Sequence, residues 1–344
     1  MNAKTASLSD IARRLGISRR SVAQALNGSD RGTVKVSEAT ARRVRELAAE
    51  LGYRGNAAAR AVATGRFNAI GLVLSTDASR GALAAATLHG IQEEMLQRDM
   101  HLTLGQVPDA KLTADNYLPR LLREWSVDGL VISYSVDMPA KILEVLRTYR
   151  LPSVWLNIDL PNDAVRPDDL QGGKAATEHL LSLGHRRICY VDRDANRHYS
   201  SAARRAGYEL AMVSAGLKPW VFASDSFVPA VKRLPLHAEL LSLPASQRPT
   251  AVITYGDVDA QTMYVAALKA GIDVPRELSI MTFHSGVPVA TGLGITCMRI
   301  PAYDVGRRAV QLLVDKINGR RESVPSVLLP FELRQGESTA TPPA

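Results

Sequence analysis

The chain has 344 residues, 46% of them apolar, with 42 Lys/Arg against 34 Asp/Glu. That composition suits two or three compact globular units and excludes collagenous, low-complexity and disulfide-scaffold classes. The net charge of +8 sits entirely in residues 1–66, which hold 13 Lys/Arg and 5 Asp/Glu, so the remainder is neutral. A basic head on a neutral body suggests a polyanion-binding module joined to a domain with another task. The two cysteines, Cys189 and Cys297, lie in separate apolar runs without C-x-x-C spacing. Packed thiols in a reducing compartment are expected, with no disulfide framework and no metal site. The N-terminus has no apolar signal core, and no apolar run approaches the ~18 residues of a membrane span. The expectation is a cytoplasmic protein without a membrane partner.

In chain order, Ser7 and Asp10 have the spacing of a capping box. Leu8, Ile11, Ala12 and Leu15 then form an apolar stripe at helical spacing. Gly16 breaks this helix and Ile17 plugs the space beneath it. Ser18 caps a second helix that buries Val22, Ala25 and Leu26 and offers Arg19, Arg20, Ser21 and Gln24 on the other side. Helix, short turn and a second helix with basic and amide tips is the geometry that reads a DNA major groove. Arg can form two bonds to guanine, and Gln to adenine. A third helix runs from a Ser37 cap to a stop at Gly52. The Ala-rich stretch that opens at Asn56 and ends at Gly65 is too short to be a stable helix alone in water. It would order only when a partner holds it.

The runs "LSDIARRLGISRRSVAQALNG" and "VSEATARRVRELAAELGYRGNAAARAVATGRFNAIGLVL" resemble the head and hinge of the LacI/galactose-repressor family of bacterial transcription regulators. The resemblance implies a homodimer on a pseudo-palindromic operator in double-stranded DNA, with a small-molecule effector and no cofactor or catalytic residue. It implies a helix-turn-helix domain over 1–54, a hinge helix and linker over 55–66, and an effector-binding and dimerisation domain over 67–340. Carried over by position, the DNA contacts are Ser18, Arg19, Arg20, Ser21, Gln24, Asn27, Tyr53, Asn56, Ala59 and Val62. Three departures stand out. Ala23-Gln24 replaces the usual Ser-Arg, Gly55 the usual Pro, and Val62 the usual minor-groove Leu. The lost methylene weakens the wedge by at most ~0.8 kcal/mol per subunit.

The body alternates apolar runs at 68–75, 101–107, 128–135, 151–158, 186–192, 250–255 and 278–284 with helical patterns such as Ala84–Arg98 and Thr262–Ala270. The fold class is therefore α/β, with an all-α head and doubly wound parallel sheets in the body. Seven such runs exceed one comfortable sheet, so two similar lobes with a cleft are expected. Leu88, Ile91 and Met95 form a stripe that either packs on its own sheet or helps to form a dimer seam. No phosphate loop, dinucleotide fingerprint, nucleophile elbow or H-E-x-x-H occurs. His179 and His185 read as satisfied structural residues, and the tail "STATPPA" as frayed.

The family resemblance makes the body periplasmic-binding-protein-like. It places one lobe at about 67–160 plus 300–321 and the other at 161–299 plus 322–340, with crossings near 159–162, 285–300 and 320–323. Effector contacts carried over are Ser75, Asp77, Asn157, Arg204, Phe227, Asp257 and His284. His284 stands where sugar-binding relatives carry an Asp, and imidazole accepts at most one hydrogen bond. Retention of Arg204 beside fewer carboxylates points to a sugar or sugar derivative that is anionic or otherwise not a plain neutral hexose. The alternative is an effector-independent constitutive repressor or an architectural DNA-binding protein.

Overall fold

The computed structural model describes residues 6–27, 36–53, 55, 65–77, 80–81, 83–114, 117–134, 136–192, 198–224, 228–286, 292, 294–319 and 322–343. The chain divides into two compact units, Met1–Phe67 and Asn68–Ala344.

The first unit contains α1 (Leu8–Leu15), α2 (Arg19–Asn27) and α3 (Glu38–Glu50). Ser7 Oγ accepts from the Asp10 N–H, while the Asp10 carboxylate accepts from the Ser7 N–H at 2.9 Å. Gly16 ends α1 at φ 66°, a left-handed conformation that favours a residue without Cβ. Ser18 Oγ accepts from the Ser21 N–H at 3.0 Å and so opens α2. Ile11, Ala12, Val22, Ala25, Ala41, Val44 and Ala48 form one core, with Ile17 and Tyr53 packed against it.

The helices of the second unit are α4 (Ala85–Leu96), α5 (Asp109–Leu112), α6 (Tyr117–Trp125), α7 (Ala140–Thr148), α8 (Asp169–Ser182), α9 (Tyr199–Ser214), α10 (Ala230–Leu241), α11 (Asp257–Lys269) and α12 (Ala302–Ile317). They flank two sheets. The first comprises β1 (Ala69–Ser75), β2 (His101–Val107), β3 (Gly129–Ser133), β4 (Ser153–Leu156), β5 (Ala164–Pro167) and β11 (Val327–Leu329). The second comprises β6 (Ile188–Asp192), β7 (Trp220–Ala223), β8 (Ala251–Thr254), β9 (Ser279–His284), β10 (Thr296–Arg299) and β12 (Glu332–Arg334). Their strand orders correspond: β2-β1-β3-β4-β5-β11 and β7-β6-β8-β9-β10-β12. Every pairing is parallel except β10 with β12. The lobes thus repeat one topology although no sequence repeat is visible.

Helices covering both faces explain why the central strands read as unbroken apolar runs. Ile91 and Met95 of α4 are buried on the first sheet, so that stripe packs within its own lobe. In each lobe two helices approach too closely for any side chain at the crossing. A Cβ on Gly90 would lie 2.0 Å from the Tyr303 carbonyl oxygen, and one on Gly306 would lie 2.1 Å from that of Thr87. In the second lobe, Gly173 faces the Arg204 carbonyl and Gly207 that of Leu170, each at 2.0 Å.

Three expectations need correction. Strands β5 and β11 both belong to the first sheet, so the chain passes between the lobes after Pro167, between Arg299 and Ala302, and between Leu329 and Glu332. Short strands carrying Arg166 and Pro167, or only three residues long, lack a legible period. Helix α11 begins at Asp257, five residues before the expected Thr262; Asp257 and Asp259 suit the positive end of a helix. The tail is docked rather than frayed. Ser338 is fully buried; its hydroxyl donates to the Ile280 carbonyl at 2.6 Å and accepts from the Thr296 N–H at 2.9 Å. His185 binds the Ala340 carbonyl at 2.9 Å, with Thr250 at 2.9 Å on its other nitrogen. His179, in contrast, has its Nε2 buried without a partner among the described residues. Cys189 and Cys297 are buried thiols.

Candidate functional site

Two sites can be built from the residues upward. In the head, Val22 and Ala25 fix one face of α2 in the core. Arg19 and Arg20 project from the opposite side as exposed side chains, with Ser21 and Gln24 half-buried beside them. Tyr53 is half-buried against the core, so its ring supports the head. The backbone of Asn27 closes α2, but its side chain lies outside the described residues. Asn56, Ala59 and Val62 also lie outside them. An exposed cationic helix face in a head that carries the whole net charge suits a phosphate-lined groove.

In the body, functional candidates gather at the carboxyl ends of the strands, where open α/β sheets place ligands. Ser75 closes β1 and is buried; its hydroxyl donates to Asp109 at 3.3 Å and accepts from the Asp77 N–H at 3.0 Å. The Arg80 guanidinium bonds Asp109 and lies 3.3 Å from Asp77. Tyr134 is buried beside this cluster. Burial first, and then the Asp109 carboxylate, push its phenol above the ordinary range.

The second lobe contributes a larger cluster. Arg204 of α9 is buried, donating from Nε to Asp169 at 2.7 Å and from one terminal nitrogen to the Tyr255 carbonyl at 3.1 Å. Its guanidinium lies over the rings of Phe283, Tyr255 and Phe331 at 4.5, 4.9 and 5.5 Å. Burial opposes this charge; Asp169, the strongest opposing influence, holds the group protonated. At the end of β6, Asp192 accepts from the Ser201 hydroxyl. His284 Nδ1 accepts from the Gly286 N–H at 2.8 Å, and its Nε2 faces Asp257 at 3.7 Å. That arrangement spends the acceptor of His284 internally and leaves the ligand side a donor and a carboxylate.

Asn157 links the lobes. Its carbonyl accepts from His198 Nε2 at 2.9 Å, and its Oδ1 accepts from the Tyr199 hydroxyl at 3.2 Å. Arg166 stacks over the Tyr199 ring at 5.0 Å and pairs with Asp159 at 2.8 Å.

The structure therefore brings Ser75 and Asp77 together in one lobe, and Asp257 and His284 in the other. Arg204 is enclosed by protein partners, and Phe227 lies outside the described residues. The sequence reading missed Arg80, Asp109 and Tyr134. They stand far apart along the chain, and only the parallel register of β1, β2 and β3 gathers them. It also missed Asp169, although the adjoining Asp168 is a visible helix cap. No group of three or more metal-ligating side chains occurs among the described residues. No helix among them is long and apolar enough to cross a membrane.

Fold and sites together define a helix-turn-helix protein with a two-lobed, binding-protein-like body. Residues 7–56 match the family described as bacterial regulatory proteins, lacI family, and residues 177–339 match the periplasmic binding protein-like domain. Head and body are therefore similar to the two parts of LacI-family bacterial regulatory proteins. The chain is 27% identical to the HTH-type transcriptional regulator GntR of Pseudomonas aeruginosa, over 96% of this chain and 95% of that one. It is 29% identical to the HTH-type transcriptional repressor PurR of Escherichia coli O139:H28, with 98% of each chain covered. Among solved structures, the Lac repressor dimer bound to operator and the anti-inducer ONPF superposes with a TM-score of 0.77 at 21% identity. That match covers 98% of this chain and all of the other. A LacI family transcriptional regulator from Mycobacterium smegmatis gives 0.61 at 28% identity, over 79% of this chain and 99% of its own.

Proposed function

We propose that the protein is an operator-specific transcriptional repressor, acting as a homodimer on double-stranded DNA and controlled by a small molecule held at the strand ends of the body. The observation that carries this reading is the exposed pair Arg19 and Arg20 on α2, whose other face is locked into the core of the head. Support comes from relatives named as regulators and repressors and from the operator-bound Lac repressor, whose fold this chain shares. Ser18, Ser21, Gln24, Asn27, Tyr53, Asn56, Ala59 and Val62 complete the proposed DNA contacts. The hinge and linker, 55–66, supply the minor-groove contacts, and two heads read two half-sites.

The effector is a sugar or sugar derivative. Two structural neighbours hold ligands of this kind, a CelR–cellobiose complex and an Enterococcus faecium regulator with bound ribose. Ser75, Asp77, Asn157, Asp257 and His284 supply donors and acceptors for hydroxyl groups, and Phe227 a ring to stack on. The case for an anion rested on Arg204, whose charge is offset by Asp169; Arg80 is offset likewise. A neutral polyol fits these charge-balanced pairs better. Effector binding changes operator affinity by favouring one lobe arrangement over another.

The test is the ratio of operator to random-sequence affinity at fixed salt, with operators recovered by genome-wide mapping of bound sites. A ratio of ~10³ or more is expected. A ratio near one would assign the chain to sequence-indifferent architectural binding instead. Thermal-shift screening of neutral sugars, sugar acids and sugar phosphates separates the effector classes, and no stabilisation by any of them would favour constitutive repression.

A further inference from the structure

A cavity of about 460 Å³ opens in the first lobe, away from the strand-end cluster, between the C-terminal ends of α7 and α12, the start of β4, the segment 160–163, and Gly319, Glu322 and Ser323. Its apolar lining is half-buried Leu143, Leu151 and Leu160, while Trp155 and Leu146 are almost wholly buried. Its polar groups differ in whether they are occupied. Lys316 Nζ lies 2.8 Å from Asp163 Oδ1 and donates to the Ser153 carbonyl at 3.0 Å, so its charge is used within the protein. Arg147, Arg150 and Glu322 are exposed and form no ion pair with a described residue, so the two guanidiniums outnumber the one carboxylate. Arg150 holds φ 49° at the end of α7, a left-handed position usually given to Gly, while Leu151 N–H closes the turn onto the Leu146 carbonyl at 2.9 Å. The backbone there fixes where the guanidinium starts.

We infer that this cavity is a second ligand site, distinct from the effector site, and that it takes an amphipathic organic anion whose apolar body lies on Leu143, Leu151 and Leu160 and whose carboxylate is held by Arg147 and Arg150. The volume falls in the range of small-molecule sites, and two guanidinium forks match a carboxylate's two oxygens. The walls at 160–163 and 323 lead directly into β5 and β11, the strands from which the chain twice passes to the second lobe. Asp163 ties these walls together: its carbonyl pairs with the Trp155 N–H at 2.8 Å and its carboxylate with the Val324 N–H at 3.0 Å. An occupant therefore bears on the roots of both linking strands.

The test titrates the full chain with 4-phenylbutyrate by calorimetry, alongside the neutral 4-phenylbutanol. The expected result is one saturable site per chain for the acid, with Kd near or below ~1 mM. The double variant Arg147→Gln with Arg150→Asn should bind the acid at least ~10-fold more weakly. Both positions are exposed, and Asn suits the left-handed backbone at 150, so the variant should fold; its circular dichroism verifies that. Arg147→Lys with Arg150→Lys should retain part of the affinity. No saturation of the parent protein by ~10 mM acid would overturn the inference. Equal affinity in the double variant would do so too, because the acid would then be bound elsewhere, as would equal binding of the alcohol. None of these results bears on operator binding or on the strand-end effector site.

Discussion

His198, at the N-cap of α9 in the second lobe, donates from Nε2 to the carbonyl of Asn157 at the end of β4 in the first, 2.9 Å away. The other nitrogen, Nδ1, accepts from the Ser200 N–H at 3.3 Å, so the imidazole is neutral with its proton on Nε2. Two hydrogen bonds thus reach Asn157 from the start of α9, and protonation of His198 would remove only its Nδ1 acceptor, because the imidazolium keeps the Nε2 donor to Asn157.

Burial of this ring and the acceptor role of Nδ1 make the start of α9 sensitive to pH. Burial, the dominant influence, holds the His198 pKa below its ordinary 6.5. A depressed histidine favours the folded form fully above its unfolded pKa and loses that contribution as pH falls through the folded value. Thermal stability should therefore drop between pH 7 and pH 5 (about the range set by the unfolded value), and His198→Gln should flatten that slope. His198→Ala leaves the Asn157 carbonyl without this donor and should cost about 1–3 kcal/mol at neutral pH by urea unfolding.

The paired helix crossings allow a sharper mutational test. Gly173→Ala would set a methyl 2.0 Å from the Arg204 carbonyl oxygen, a backbone atom that has no room to retreat. We expect a loss of about 3 kcal/mol or more. Arg204 itself would be displaced, so effector binding should fall with stability. Urea unfolding and a ligand-induced shift in Tm read the two effects separately.

Glu94 on α4 is almost wholly buried between Arg98 at 2.8 Å, Arg307 at 3.1 Å and Gln311 at 3.0 Å. Burial opposes its ionisation, but the hydrogen bonds from those three side chains outweigh it and hold the carboxyl below its ordinary 4.5. The stabilisation is complete above the unfolded value and disappears as pH falls through the folded one. Glu94→Gln should destabilise the protein at pH 7 and shift its acid-unfolding midpoint. An unchanged midpoint would mean that the network contributes nothing.

For the head, Arg20→Ala should cost about 1–3 kcal/mol at one base pair of each half-site and leave random-sequence binding nearly unchanged. Uniform weakening on all duplexes would restrict Arg20 to phosphate. Val62→Leu should tighten operator binding by up to ~1.6 kcal/mol per dimer, through one added methylene in each subunit. Filter binding or fluorescence anisotropy at fixed salt measures both.

The head was legible because its signals are local. Ser7 with Asp10, Gly16 and Ser37 are caps and stops acting within four residues, and each is found in that role. The long central strands were legible for a similar reason, since burial on both faces writes an unbroken apolar run. The strand-end sites were less so. Asp109 reaches Ser75 and Arg80 only because β1 and β2 pair in parallel register, and no periodicity encodes that meeting. The tail was misread because its Ser and Thr hydroxyls look like loop composition. In the structure the hydroxyls of Ser338 and Thr339 bind Ile280 and Thr296 and bury themselves. Arg204 was recognised by its spacing to Gly207, but its partner Asp169 lies 35 residues away along the chain.

Strands β11 and β12, the last to be made, each complete a different sheet. During synthesis the first lobe cannot close its edge until the ribosome has passed residue 329, nor the second until it has passed 334, whereas the head ends at residue 67. The nascent chain would therefore expose a finished DNA-binding module well before the part that regulates it. The same threading means that a protease cutting one link between the lobes leaves them joined by two others. Neither lobe is a continuous stretch of sequence, so no single truncation from either terminus yields one lobe free of the other.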